Sequence, residues 1–162
     1  MKPSLPSQKQ KQIQDLVDDI VISVRRHIFV SDMDLNDFEL MADGATEIKF
    51  NSGRVICFVA ITEVNSVGII EQKLPVPGES YTTLNLTNSD FWQERIDQNI
   101  KTIEIIKSQY ASDHNPSEFA VEFKLENGKH FCIEYLDEEE FPDTIRVIEK
   151  YEGDRSVRLK FC

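Results

Sequence analysis

The sequence predicts an α+β protein made of two tandem repeats, each an N-terminal helix followed by an antiparallel β-meander, packed together as one unit. Three observations carry this. Residues 45–58 (ATEIKFNSGRVICF) align without a gap on residues 120–133 (AVEFKLENGKHFCI) at an offset of 75. Both segments alternate apolar and polar residues about a glycine, the pattern of a hairpin. Each is preceded in its own half by a run with apolar residues at helical spacing.

The alignment is close. Ala45/Ala120, Glu47/Glu122, Lys49/Lys124, Gly53/Gly128 and Cys57/Cys132 are identical, and pairs such as Ile48/Phe123 and Phe58/Ile133 exchange one apolar residue for another. The match extends outward to Phe29/Tyr110 at offset 81, Val67/Ile145 at offset 78 and Leu84/Leu159 at offset 75. Two copies, residues 1–80 and 81–162, account for the whole chain.

Element by element, a helix is expected over 7–19, with Ser7 as its cap and Ile13, Leu16, Val17 and Ile20 on one face. Its counterpart over 89–98 starts at Ser89-Asp90 and carries Phe91, Trp92 and Ile96, the aromatic pair packing on a sheet. Strands are expected over 20–29 and 103–110, in the two aligned hairpins, and over 67–72, 82–86, 144–151 and 156–161. Asn127-Gly128 is the strongest hairpin turn of the set. Residues 73–80 (KLPVPGES) hold two prolines and a glycine and read as a linker. One short helix cannot cover a sheet of four or five strands, so the halves are expected to pack on each other.

Hydrophobic residues at 40% and charged residues at 29% match a globular chain and exclude collagen-like and wholly disordered classes. Asp and Glu number 29 against 18 Lys and Arg, a net charge of −11, which disfavours a phosphate backbone as partner and favours a basic protein. Residues 1–12 lack the apolar run of a secretory signal, and no stretch approaches the roughly 20 apolar residues of a membrane span. The expected location is cytoplasmic, with Cys57, Cys132 and Cys162 as free thiols: they are odd in number, widely spaced and without a C-x-x-C pair.

Chemistry is sparse. His130-Phe131-Cys132 places an imidazole and a thiol two residues apart, yet the other copy has Val55 and Cys57 there, so the position belongs to packing. Asp32-x-Asp34-x-Asn36 begins like a calcium loop but continues with Asp37 where a glycine is needed and Asp43 where a bidentate glutamate is needed, so no metal is expected. No phosphate-cradle or nucleophile motif occurs, and neither catalysis nor a cofactor is expected. The copies differ instead in two acidic loops. The first copy has six extra residues in 31–44, with Asp32, Asp34, Asp37, Glu39 and Asp43; the second has three extra in 136–143, with Asp137, Glu138, Glu139, Glu140 and Asp143. Extra loops added to a repeated framework are candidate partner-binding surfaces, with solvated loops as the plain alternative.

An acidic α+β chain with E-x-K-x-x-x-G hairpins at Glu47 to Gly53 and Glu122 to Gly128, and an acidic loop running into Phe141-Pro142-Asp143, resembles the immunity proteins of bacterial contact-dependent inhibition and other polymorphic-toxin systems. The resemblance implies a stoichiometric mechanism: the acidic surface covers the basic active-site cleft of a cognate toxin's C-terminal domain, commonly a nuclease. The other reading the sequence leaves open is a generic protein-interaction or scaffold domain.

Overall fold

The computed structural model describes residues 2–41, 43–139, 142–153 and 156–162. Among the described residues ten strands fall into two antiparallel sheets. The first contains β1 (Val21–Phe29), β2 (Thr46–Phe50), β3 (Val55–Ile61), β4 (Ser66–Ile70) and β5 (Tyr81–Asn85), in the order β4-β3-β2-β1-β5. The second contains β6 (Ile100–Ser108), β7 (Ala120–Leu125), β8 (His130–Leu136), β9 (Thr144–Ile148) and β10 (Ser156–Phe161), in the order β9-β8-β7-β6-β10. Replacing each strand of the first sheet by the one five places later gives the second.

Register repeats as well. Glu47 of β2 lies opposite Cys57, which lies opposite Ile70; Glu122 of β7 lies opposite Cys132, which lies opposite Ile148. Both first strands break register at the same point, between Val21 and Ser23 and between Ile100 and Thr102. Gly53 and Gly128 take positive φ, 92° and 86°, in the turns after β2 and β7, where a Cβ costs strain. In the first strands the true correspondence is Arg25 to Glu104, an offset of 79 rather than the 81 suggested by Phe29 and Tyr110.

Helices are minor, which corrects the helix-led repeat. In place of a helix over 7–19 there is a 3-10 turn at Pro6–Lys9 and α1 at Gln10–Gln14; in place of one over 89–98 there is only α3 at Asp90–Gln93, capped by the Ser89 hydroxyl. Segments this short are marginal alone. Sheet contacts capture the chain first: Asp18 and Asp97 turn at φ 72° and 65°, the Asp18 N–H donates to Ile100 O at 2.8 Å, and the Asp97 N–H donates to Val21 O at 2.7 Å. These bonds are reciprocal, and Ile20 and Asn99 form an antiparallel bridge between them, so the halves meet about a local two-fold.

The meander is also interrupted. After β4 the chain crosses the outer face of its sheet and returns as β5 on the far side of β1, and β9 to β10 repeats this. Residues 73–80 therefore form a strap pinned to the sheet at Leu74 and Pro75 rather than a free linker. Glu47 holds the strap by accepting the Leu74 N–H at 2.7 Å while pairing with Arg25 at 2.6 Å, and the His27 ring meets Pro75 O at 2.9 Å. Burial pushes the Glu47 carboxyl up, but these donors outweigh it and leave it below the ordinary range. In the second sheet Glu122 accepts the Tyr151 N–H at 2.7 Å. The division at residue 80 falls just before β5, the last strand of the first sheet.

One core lies between the inner faces. Val24, Ile48, Phe50 and Phe58 of the first sheet join Ile103, Phe123, Phe131 and Ile133 of the second. The Phe58 and Phe123 rings meet edge-on at 6.1 Å, Phe123 stacks on Phe131 at 4.5 Å, and Trp92 packs on Phe131 at 4.9 Å. Each such side chain contributes about 1.5–3 kcal/mol when buried. Cys57 and Cys132 are buried, free and on the outer faces beneath the straps, where burial pushes the Cys57 thiol up to about 12 and Cys132 well upward. No described helix is long and apolar enough to cross a membrane.

Candidate functional site

Both acidic insertions leave the same end of the molecule. The first joins β1 to β2 through a 3-10 turn at Val30–Asp34 and α2 at Phe38–Met41; the second joins β8 to β9. α2 packs on β9, so the first half's insertion rests on the second half's sheet.

Arg26 makes that contact. It stands on the inner face of β1, wholly buried, where the equivalent residue of β6 is Ile105. Its guanidinium donates to Glu39 O at 2.9 Å and Leu40 O at 2.7 Å in α2, to Gly44 O at 3.5 Å, and to Ile145 O of β9. A planar fork of five donors suits four converging carbonyls as an ammonium does not. Burial lowers its pKa to about 10, with Asp43 and Asp32 opposing the shift, so the group stays charged at neutral pH. Gly44 closes the insertion at φ 141°, with space for a Cβ taken by the His27 carbonyl oxygen at 1.8 Å.

The carboxylates divide into two sets. Asp32, Asp43, Asp137 and Asp143 shape the loops: Asp32 accepts the Asp43 N–H at 3.0 Å, Asp43 accepts the Tyr81 hydroxyl at 3.0 Å, Asp137 accepts the Asp143 N–H at 3.4 Å, and Asp143 accepts the Tyr135 hydroxyl. Burial and the facing carboxylates raise both phenols, Tyr81 to about 12. Asp34, Asp37, Glu138 and Glu139 are exposed and Glu39 is half-buried; none of the five is in an ion pair among the described residues. Glu140 and Phe141 lie outside the described residues.

Asp43 and Asp143, one from each insertion, line a single depression of about 240 Å³ with Tyr81, His27 and Ile145. Asp37 and Glu39 line another with Ser89 and Phe91. Beside these acids Val30, Met33 and Leu35 are 49%, 40% and 37% exposed. The result is an acidic crest with apolar side chains inside it. Arg26 and the apolar trio were not among the residues singled out from sequence; aligning β1 on β6 at offset 79 exposes Arg26 as an arginine facing isoleucine. His130 is half-buried on the outer face of the second sheet, away from the core that the Val55 comparison suggested.

No protein family, characterised protein or solved structure matches the chain.

Proposed function

We propose that the protein is a non-catalytic binding protein that neutralises a basic toxin in the cytoplasm by seating its acidic crest over the toxin's active-site cleft, as the resemblance to polymorphic-toxin immunity proteins implies. The convergence of both insertions on one end, with buried Arg26 tying the first to β9 where the second ends, carries this reading. Loops that served only as solvated tethers would not need a charged group buried across two sheets to fix their relation, because such burial is costly unless fully hydrogen-bonded. Asp34, Asp37, Glu39, Glu138 and Glu139 supply the field that steers a basic partner, and Met33 and Leu35 supply the apolar contacts that set its residence time. The same strand order, the shared register break and the reciprocal hydrogen bonds support a second element of the proposal, that the chain is an internally duplicated unit whose copies diverged mainly in these loops.

The test is stopped-flow association with the C-terminal domain of the toxin encoded beside this chain. Replacing Asp34, Asp37, Glu138 and Glu139 together by Gln slows association about 10-fold at low salt, and the gap closes as added salt shortens the Debye length toward about 8 Å and below. An association rate indifferent to both salt and substitution removes the crest from the mechanism and leaves the generic interaction domain as the reading.

A further inference from the structure

The outer face of the second sheet carries the opposite charge. In a chain of net charge −11, Lys101, Lys124, Lys150, Arg158 and Lys160 gather around one cavity of about 420 Å³. Two carboxylates, Glu104 and Glu122, lie on its floor, and both are engaged by Arg158, at 2.5 Å and 3.7 Å. The four lysines are in no ion pair among the described residues. The pocket thus keeps five cations against two carboxylates.

The fold does not require them. Sheet register equates the bulge residue Lys101 with Ile22, His130 with Val55, Arg158 with Thr83 and Lys160 with Asn85. The first sheet builds the same surface from uncharged side chains at these four places; its cations there are Lys49, the counterpart of Lys124, and Arg25, which stands where the second sheet has Glu104 and is paired with Glu47. Gathering like charges on one face costs stability through mutual repulsion, so the second sheet bears a cost its twin avoids. His130 adds a further polar group: its Nδ1 is buried without a hydrogen-bond partner, 3.6 Å from Glu122 Oε2.

We propose that this pocket binds a compact, multiply charged phosphate anion, the phosphate chain of a nucleotide or of inorganic polyphosphate, with Lys124 and Lys160 as its principal contacts. Lysine ammoniums on flexible stems suit such an ion as converging point charges. An extended acidic peptide fits less well, because the pocket lies on the face of β10, β6, β7 and β8, whereas strand addition needs the free edge of β10, whose unpaired backbone groups lie in the plane of the sheet. Duplex nucleic acid meets the strongly acidic remainder of the surface.

Calorimetric titration of the intact protein with sodium tripolyphosphate, ATP and an oligoglutamate peptide tests the site. Saturable one-to-one binding of tripolyphosphate is expected, weakened at least 10-fold in Lys124→Gln/Lys160→Gln and unchanged in Lys49→Gln, the equivalent lysine of the first sheet. ATP binding more tightly than tripolyphosphate identifies a nucleotide; equal or weaker ATP binding identifies the inorganic chain. No saturable binding, equal losses in the two variants, or oligoglutamate binding as tightly as tripolyphosphate overturns the proposal. Thermal melts of each variant confirm that these substitutions leave the fold in place. The crest is not part of this pocket, so its test fails or succeeds separately.

Discussion

Arg26 occupies a place that its counterpart Ile105 fills with hydrocarbon, and the difference lies in the loop above it. The longer insertion of the first half brings α2 over β9 with carbonyls pointing inward, and the guanidinium satisfies them. Arg26→Met keeps the volume and removes the donors, stranding several buried acceptors at about 1–3 kcal/mol each. The variant is expected to lose about 3 kcal/mol or more in urea unfolding, with faster amide exchange over 31–41 than over β6 and β7. Arg26→Lys rescues only part of this, because one ammonium cannot reach α2 and Ile145 together. A loss below about 1 kcal/mol, or exchange unchanged in α2, refutes the anchoring role. The carboxylates of the crest were legible in the sequence as extra residues in one copy. Arg26 was not, since an arginine in VISVRRHIF reads as solvent-facing until the register of β1 on β2 is known.

Among elements, the hairpins were the most legible, because alternation and a turn glycine are local properties. Gly53 and Gly128 share a positive φ, and nothing stands within 4 Å of an added Cβ at either. Gly53→Ala and Gly128→Ala are therefore expected to cost about 1–2 kcal/mol of backbone strain. Gly44→Ala adds a collision with the His27 carbonyl oxygen to a similar strain and should cost clearly more, above about 3 kcal/mol. Chemical denaturation of the three variants decides it; equal losses would mean that the end of the insertion relaxes freely. The helices were overread. Ile13 and Leu16 do pack in the core, but little more than one turn suffices to place them before Asp18 turns the chain onto the sheet. The straps were missed for the converse reason: prolines at 75 and 77 announce an extended backbone and say nothing about the surface beneath it, which Glu47 and His27 provide from distant positions.

At the scale of the molecule, the inner face of each sheet is covered by the other, with Phe58 against Phe123 at the contact. Neither half has a second apolar layer of its own. Unfolding is therefore expected as one cooperative transition, with Trp92 fluorescence and far-ultraviolet circular dichroism coincident in urea; two separated transitions would show that the halves hold themselves together independently. That both acidic loops share one end follows from this packing, which no local pattern encodes. The straps carry a consequence for contact between molecules. β4 and β5, and likewise β9 and β10, are sequence neighbours at opposite margins of one sheet. Trading an edge strand with a second copy, a low-cost route to swapped dimers in many sandwiches, would here drag the strap off the sheet and break the Leu74 bond to Glu47 or the Tyr151 bond to Glu122. Those two buried glutamates thus act as latches against strand exchange, one on each side of the molecule.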